Sequence, residues 1–564
     1  MAADLVLTGG RVFDGHAVRP GATTVAVTAG IITGVGTEAG LGDVVGPATD
    51  VVQLEGRLVT PGFVDAHAHT FMGGIEALAC DVGQSHGAAE VQRAVAAHAA
   101  ASTGPAPGWI TGAGWYKGDY DGGFPDAAVL DAVAPSRPVY LINRDHHSAW
   151  VNTAALRLAG IDDHTADPPD GRIDRRSDGS ASGILHEGAM ALVSRVLPPI
   201  TRGTVEAGIL HGQRHLHSLG ITGWQEAIIG DYAGYPDAAP AYGALAASGR
   251  LSGRASGALW VPRGITLPEI PALVDEFRER RRSNAAAGFP TSSAKIMIDG
   301  VPENRTAALL DPYEPAGCGC VPAGAVDRGP SYLPEDVLHA VVGALHAARF
   351  DLHLHAIGDR AVRTGLDAVA GARAADPDPV ASTSPSAEAW EPLHNMAHVQ
   401  LVHPDDVARF GALGVTVNAQ GLWACSDDQM RALTVPLIGA ERATWQYPFA
   451  SLVGGGAPLA MGSDWPVSDA DPWQAIHVAV NRTHPAYPGV PPLVPAEALT
   501  LLTVLRGYTS GSARVTRSPA GLIRTGAPAD LAVLSVDPFA LEDADLHAVR
   551  VDLTVAGGRV MFER

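Results

Sequence analysis

The run TPGFVDAHAHT, Thr60 to Thr70, decides how this chain is read. Apolar residues lead into Asp65, His67 and His69, each separated from the next by one alanine. On a β-strand successive side chains point to opposite faces, so His67 and His69 fall side by side on one face, where two imidazoles can meet a single cation. The pair alone is a weak signal. The chain has 22 histidines, and His-Leu-His recurs at His215 and His217 and at His353 and His355.

Seven further runs share the texture of that first one, apolar and strand-like with a polar residue at or near the end. They are GITGWQEA (Gly220 to Ala227), SGRASGALWV (Ser252 to Val261), SAKIMIDG (Ser293 to Gly300), FDLHLHAIGD (Phe350 to Asp359), NMAHVQLV (Asn395 to Val402), GVTVNAQG (Gly414 to Gly421) and PLAMGSDWP (Pro458 to Pro466). Ala/Leu-rich segments with helical spacing, such as Glu335 to Phe350 and Arg360 to Ala374, separate several of them. Eight alternating strands and helices predict an α/β fold, a TIM (β/α)8 barrel, with polar side chains at strand C-terminal ends where such barrels keep their chemistry. The stretch between the first and second strands is too long for a loop and predicts an inserted α/β subdomain.

Both ends of the chain carry short strand-like runs with glycine turns: Asp4 to Gly15, Ile31 to Gly36 and Val51 to Gly62, then Asp530 to Pro538 and Val551 to Arg564. They predict one small β-sandwich built from both termini. The expected organisation is a sandwich over 1–60 plus 510–564, a barrel over 61–70 plus 216–509, and an insertion over 71–215. Residues Ala372 to Pro392, rich in Ala, Pro and Ser, read as a solvated excursion before the sixth strand.

Composition sets the class. The chain of 564 residues is 46% hydrophobic, with 65 glycines and 42 prolines, which suits many short connections in a mixed fold. The excess of 60 acidic over 39 basic side chains, a net charge of -21, argues against nucleic acid and anionic membranes as partners. Cys80, Cys318, Cys320 and Cys425 are too few for a disulfide framework at this size, and Cys318-Gly-Cys320 lacks a second pair for a thiolate zinc site. A reducing, cytoplasmic setting is expected. No run approaches the 18 or so apolar residues of a membrane span.

Further candidate ligands stand at three other strand ends: His355, His398 and Asp464. With His67 and His69 they form a set suited to zinc, or to manganese or iron, with positions open for water. Lys295 lies inside an apolar strand. Burial depresses an amine's pKa, and a neutral amine can capture carbon dioxide as a carbamate; the alternative is a lysine snorkelling from a strand end.

The order and wording of PGFVDAHAH, HHSAWVNTAAL, SGILHEGA, AKIMIDGVPENRTAAL, HLHAIGDRAV, AHVQLV, GSDWPVSDADPW and GLIRTGAPADLAVLSVDPF resemble the amidohydrolase superfamily, specifically its amidohydrolase 3 group. The resemblance covers nearly the whole chain. It implies His67 and His69 as ligands of a buried metal, carbamylated Lys295 as a bridge, His355 and His398 on a second metal, and Asp464 as ligand and proton shuttle. Two Zn2+ ions are the implied cofactor, with Mn2+ or Fe2+ as alternatives. The resemblance also suggests an aromatic pocket wall from Trp115, Tyr116, Trp150 and Trp423, with core packing the alternative for each tryptophan. His147 is a candidate for holding the substrate carbonyl. Arg305 would meet an anionic substrate group or form a structural ion pair, and Glu187 would orient a neighbour.

The implied function is hydrolysis of an amide or related C–N bond of a small organic substrate by a metal-activated hydroxide, with N-substituted formamide deformylation as the nearest precedent. A mononuclear deaminase and a non-enzymatic scaffold of the same fold are the alternatives. A homodimer is left open.

Overall fold

The computed structural model describes residues 2–101, 108–168, 170–315, 326–376 and 390–564. Cys318 and Cys320 lie outside these, as do residues 377–389 of the Ala/Pro/Ser-rich segment.

Eight parallel strands form the central sheet: β1 (Phe63–Ala68), β2 (Ile221–Ile229), β3 (Arg254–Trp260), β4 (Ser293–Met297), β5 (Asp351–Ala356), β6 (Asn395–His398), β7 (Thr416–Ala419) and β8 (Leu459–Met461). Each pairs with its neighbour in chain order, which makes a TIM barrel. All eight follow the apolar runs read from the sequence. Intervening helices such as Glu335–Ala347 and Asp359–Ala375 pack apolar faces on the sheet, including Val337, Val341 and Leu345 of the first and Val362, Leu366 and Val369 of the second.

The seam between β1 and β8 is closed by side chains and turn backbone. Asp65 accepts hydrogen bonds from Ser463 Oγ (2.5 Å), Ser463 N (3.0 Å) and His67 N (3.1 Å). Asp464 N donates to His67 O at 2.7 Å, and His69 N to Trp465 O at 2.8 Å. The aspartate two residues before the histidine pair therefore fixes the strand end carrying His67 against the turn carrying Asp464. Burial pushes the Asp65 carboxyl up to about 6, against the lowering effect of those donors.

The chain ends build two facing sheets. One has the order Ile31–Gly36, Thr24–Thr28, Leu5–Thr8, Asp50–Gln53; the other runs Arg11–Val12, Leu58–Pro61, Leu531–Leu534, Val551–Ala556, Arg559–Glu563. Leu5, Leu7, Val25 and Val27 of the first meet Val59, Leu531, Val533 and Val555 of the second in one buried cluster. Alternating inward residues on two sheets are what a sandwich core requires.

Between β1 and β2 stands a six-stranded sheet, Gly171–Arg175, Ala181–Glu187, Ser148–Val151, Val139–Asn143, Ile110–Trp115 and Cys80–Asp81 in spatial order. Val91 and Val95 of helix Gly87–Ala101 cover it, packed with Val82, Ile110, Leu141, Trp115 and Trp150. Among the described residues no helix is long and apolar enough to cross a membrane.

Candidate metal centre

Asp65 and His67 share one face of β1, as Asp351, His353 and His355 share one face of β5, and these faces look into the barrel. The polar residues there form a connected chain. Gln225 Nε2 donates to Ser293 Oγ (3.1 Å), Gln225 Oε1 faces His353 Nδ1 (2.7 Å), and His353 Nε2 faces His67 Nδ1 (2.9 Å). An amide oxygen only accepts, so His353 Nδ1 carries a proton. Burial holds His353 well below its usual range, hence neutral, and its Nε2 accepts from His67 Nδ1–H. His67 Nε2 is left with a lone pair.

That lone pair faces Asp464 Oδ1 at 3.1 Å, and His69 Nε2 approaches the same oxygen at 3.2 Å. Neither contact has hydrogen-bond geometry, and Asp464 Oδ1 is buried without a hydrogen-bond partner, as are His69 Nδ1, His355 Nε2 and His398 Nδ1. Burial lowers His67 to about 3 and holds His69, His355 and His398 below the ordinary histidine range. Burial opposes ionisation of Asp464, yet its carboxyl lies well below the usual carboxylate range. Neutral imidazoles and a carboxylate brought together with orphaned atoms are a set that a divalent cation satisfies, and His67, His398 and Asp464 have ligand atoms within 4.8 Å of one another.

His355 is the neighbour of His398, with ring centroids 4.4 Å apart. Lys295 is buried on β4 between Trp260 and His353, and burial pushes its amine down to about 7 despite the charge of Asp464. Its ammonium has no hydrogen bond or ion pair among the described residues. Asp299, at the end of the same run, accepts from Ala308 N, Ile357 N and Gly358 N (2.8, 3.0 and 2.8 Å), tying the β4 turn to the turn beyond His355.

The backbone is strained here. His398 and Asp464 have φ of 73° and 60°, a left-handed conformation that costs a non-glycine residue about 1–3 kcal/mol and persists only when its surroundings enforce it. Gln420 supplies part of that enforcement, its Oε1 accepting from His398 N at 2.8 Å.

Beside the centre lies a cavity of about 630 Å³ whose lining includes Tyr116, Glu303, Trp423, Trp465 and Tyr487. Trp423 stacks on His398 (5.0 Å between centroids, 13° between planes), and Tyr116 OH donates to Asp427 Oδ2 at 3.0 Å. Trp115 and Trp150 stand elsewhere. Both are fully buried in the insertion's core, edge to face 6.1 Å apart, and Trp115 Nε1 donates to Leu141 O, so packing replaces the pocket-wall expectation for these two. Arg305 Nε bonds Asp327 Oδ2 at 2.6 Å with its guanidinium over Tyr313, the structural ion pair of the two alternatives.

The insertion brings two adjacent histidines to the centre. The His147 ring lies 6.0 Å from that of His355, and the His146 ring 6.4 Å from that of His69. Each has a carboxylate: Glu187 Oε1 is 2.6 Å from His147 Nδ1, and Glu76 Oε1 is 3.1 Å from His146 Nε2. Sequence reasoning missed His146, Glu76 and His353. The doubled histidine and the i, i+2 spacing of His353 and His355 were the available signals.

The amidohydrolase family model matches residues 50–562. The putative amidohydrolase YtcJ of Bacillus subtilis (strain 168) is 26% identical over 546 residues, 95% of each chain. N-substituted formamide deformylase of Arthrobacter pascens is 25% identical over 586 residues, 100% of this chain and 98% of that one. The solved structure of an uncharacterized metal-dependent hydrolase from Pyrococcus furiosus shares the fold, with a TM-score of 0.66 at 23% identity over 96% of this chain and 99% of that one. A barrel with this strand-end centre and a family match running through barrel, insertion and the C-terminal sandwich strands place the chain: it belongs to the amidohydrolase family.

Proposed function

We propose that this protein hydrolyses an amide or related C–N bond of a small organic substrate at a centre held by His67, His69, Lys295, His355, His398 and Asp464. The observation that carries the reading is the convergence of neutral imidazoles on an Asp464 oxygen that has no hydrogen-bond partner. A divalent cation held there would supply Lewis acidity toward a carbonyl and lower the pKa of water.

The chain's own residues do the rest. Asp464 takes a proton from the attacking water and returns it to the departing nitrogen, which needs only hydrogen-bond reach. His147 meets the substrate carbonyl from the insertion side. Lys295, buried and readily neutral, would add to carbon dioxide through its lone pair and lose a proton, and the resulting carbamate anion would serve as a further anionic ligand of the centre. The cavity lined by Tyr116 and Trp423 has the size of a small-molecule pocket, and an N-substituted formamide has a precedent among the relatives.

Among the described residues, the tight grouping of only His67, His398 and Asp464 favours a second reading, a mononuclear deaminase. Screening metal-replete protein across N-substituted formamides, acylated amines, cyclic amides, lactones and aminated heterocycles separates the two by product. Elemental analysis should find about two divalent ions per chain. One ion with full activity, or ammonia release from heterocycles alone, would transfer the assignment to the deaminase.

A further inference from the structure

The loop from Asn143 to Ser148 carries the insertion onto the barrel's strand ends, and it is pinned from both sides. Asp145 N donates to Asn143 Oδ1 (3.0 Å) and His147 N to Asp145 Oδ1 (2.9 Å). The fully buried Lys117 of the insertion donates to Asp145 Oδ2 (2.5 Å) and to Asn304 Oδ1 (2.8 Å), and Asn304, from the segment after β4, donates to His147 O at 3.0 Å. The His147 backbone is therefore fixed, and what its ring keeps is side-chain rotation.

Glu187 removes that freedom. A carboxylate oxygen only accepts, so the 2.6 Å contact keeps a proton on His147 Nδ1 in either charge state, and Nε2 is the atom left for a substrate. Glu187 is held in turn by the barrel. Thr306 Oγ1 donates to its Oε1 at 3.2 Å, and Arg263, just beyond β3, places Nη1 3.4 Å from its Oε2 while its guanidinium lies 3.8 Å from the Tyr332 ring centroid. Burial alone would raise the carboxyl, but His147 and Arg263 bring it down to about 2. Glu187 also sits at φ 50°, a conformation its neighbours must enforce.

We propose that Glu187 is a positioning residue acting through His147: it fixes the imidazole toward the reacting bond on the His355 side, and Arg263 and Thr306 lock it there, so insertion and barrel complete the site together. This rests on the hydrolase reading above. The barrel and the insertion are thereby coupled through one buried carboxylate.

The test is a double-mutant cycle on the metal-replete full chain. His147→Asn leaves an amide N–H where Nδ1–H stood, so Glu187 keeps a donor, but no atom remains at Nε2. Glu187→Ala should lower kcat about 10–100-fold, the usual cost of losing a group that orients a catalytic side chain, and His147→Asn by at least as much, with KM little changed and metal content intact. The double variant should be no worse than His147→Asn alone. Multiplying losses, or unchanged kcat in Glu187→Ala, would overturn the proposal. If Glu187→Ala fails to fold, Glu187→Leu, of similar length but without an acceptor for His147, carries the same cycle. A crystal structure of the zinc-loaded Glu187 variant reads the same point without a substrate: the His147 ring should turn away from His355 while the other histidines stay. A ring left in place overturns the proposal even if C–N hydrolysis is established, and a turned ring supports it even if the chemistry proves different.

Discussion

The tripeptide His-Leu-His occurs twice in the described chain, and the two copies do unlike things. His215 and His217 lie on the helix Arg202–Ser218, where residues two apart diverge by about 200° around the axis. His217 turns inward, its Nδ1 facing Ile221 O and its Nε2 facing Ser252 Oγ, both at 2.9 Å, while His215 meets the Trp465 ring. His353 and His355 lie on β5, where the same spacing puts both on one face: His353 supports His67, and His355 stands against His398. Spacing acquires chemical meaning only from the backbone that carries it.

The strand copy can be broken most severely at His355. His355→Ala should abolish turnover, by more than the 10–100-fold or so that loss of a residue behind a ligand costs, and lower bound metal while the fold persists. His215→Ala should keep its metal. Elemental analysis and circular dichroism on both variants check this, and equal metal loss from the two would erase the distinction between strand and helix.

Lys295 sharpens the same contrast, because β4 carries it beside His353. Lys295→Ala removes an anionic bridge if the carbamate forms, so activity should collapse and recover in part with formate or acetate. A buried lysine without that role would leave metal content and turnover near normal, with only a cavity's loss of stability. His353 should matter less than either. Its hydrogen bond to the centre goes to His67 Nδ1, behind a ligand, so His353→Ala should weaken metal binding or turnover by about 10–100-fold, read by chelator competition and kcat.

The barrel was legible because each strand is an apolar run ending near a polar residue, and the hydrophobic core and the strand-end site leave that joint signature. His67, His69, His355, His398 and Asp464 sit at such ends. The insertion was legible only as a gap. Its sheet turns Trp115 and Trp150 into its own core and leaves the adjacent Tyr116 to the cavity, a division set by strand register and not by residue type. Arg305 was ambiguous because its partner, Asp327, lies 22 residues away. The carboxylates behind His146 and His147 come from positions 76 and 187, and nothing local in the histidine doublet announces them.

The smallest expected effect belongs to the helical copy and concerns pH. Burial holds His217 below the ordinary histidine value, so in the folded protein it stays neutral where the unfolded chain, with a pKa of about 6.5, is already protonated. Protons therefore favour unfolding once the pH drops below that value. The stability His217 contributes is complete above about pH 6.5 and is lost as the pH falls toward its lower folded value. His217→Gln cannot titrate. At pH 8 it should cost about 0.5–1.5 kcal/mol through one weakened hydrogen bond, yet the gap between melting temperatures at pH 8 and pH 5.5 should narrow. Turnover should not change, since His217 lies before β2 at the barrel's N-terminal end, where Thr554 of the sandwich donates to its carbonyl at 2.7 Å. Melting curves of metal-loaded protein at the two pH values decide it: an unchanged gap would mean that His217 is solvated enough to titrate normally, and the burial that separates it from His215 would not be the cause of their different roles.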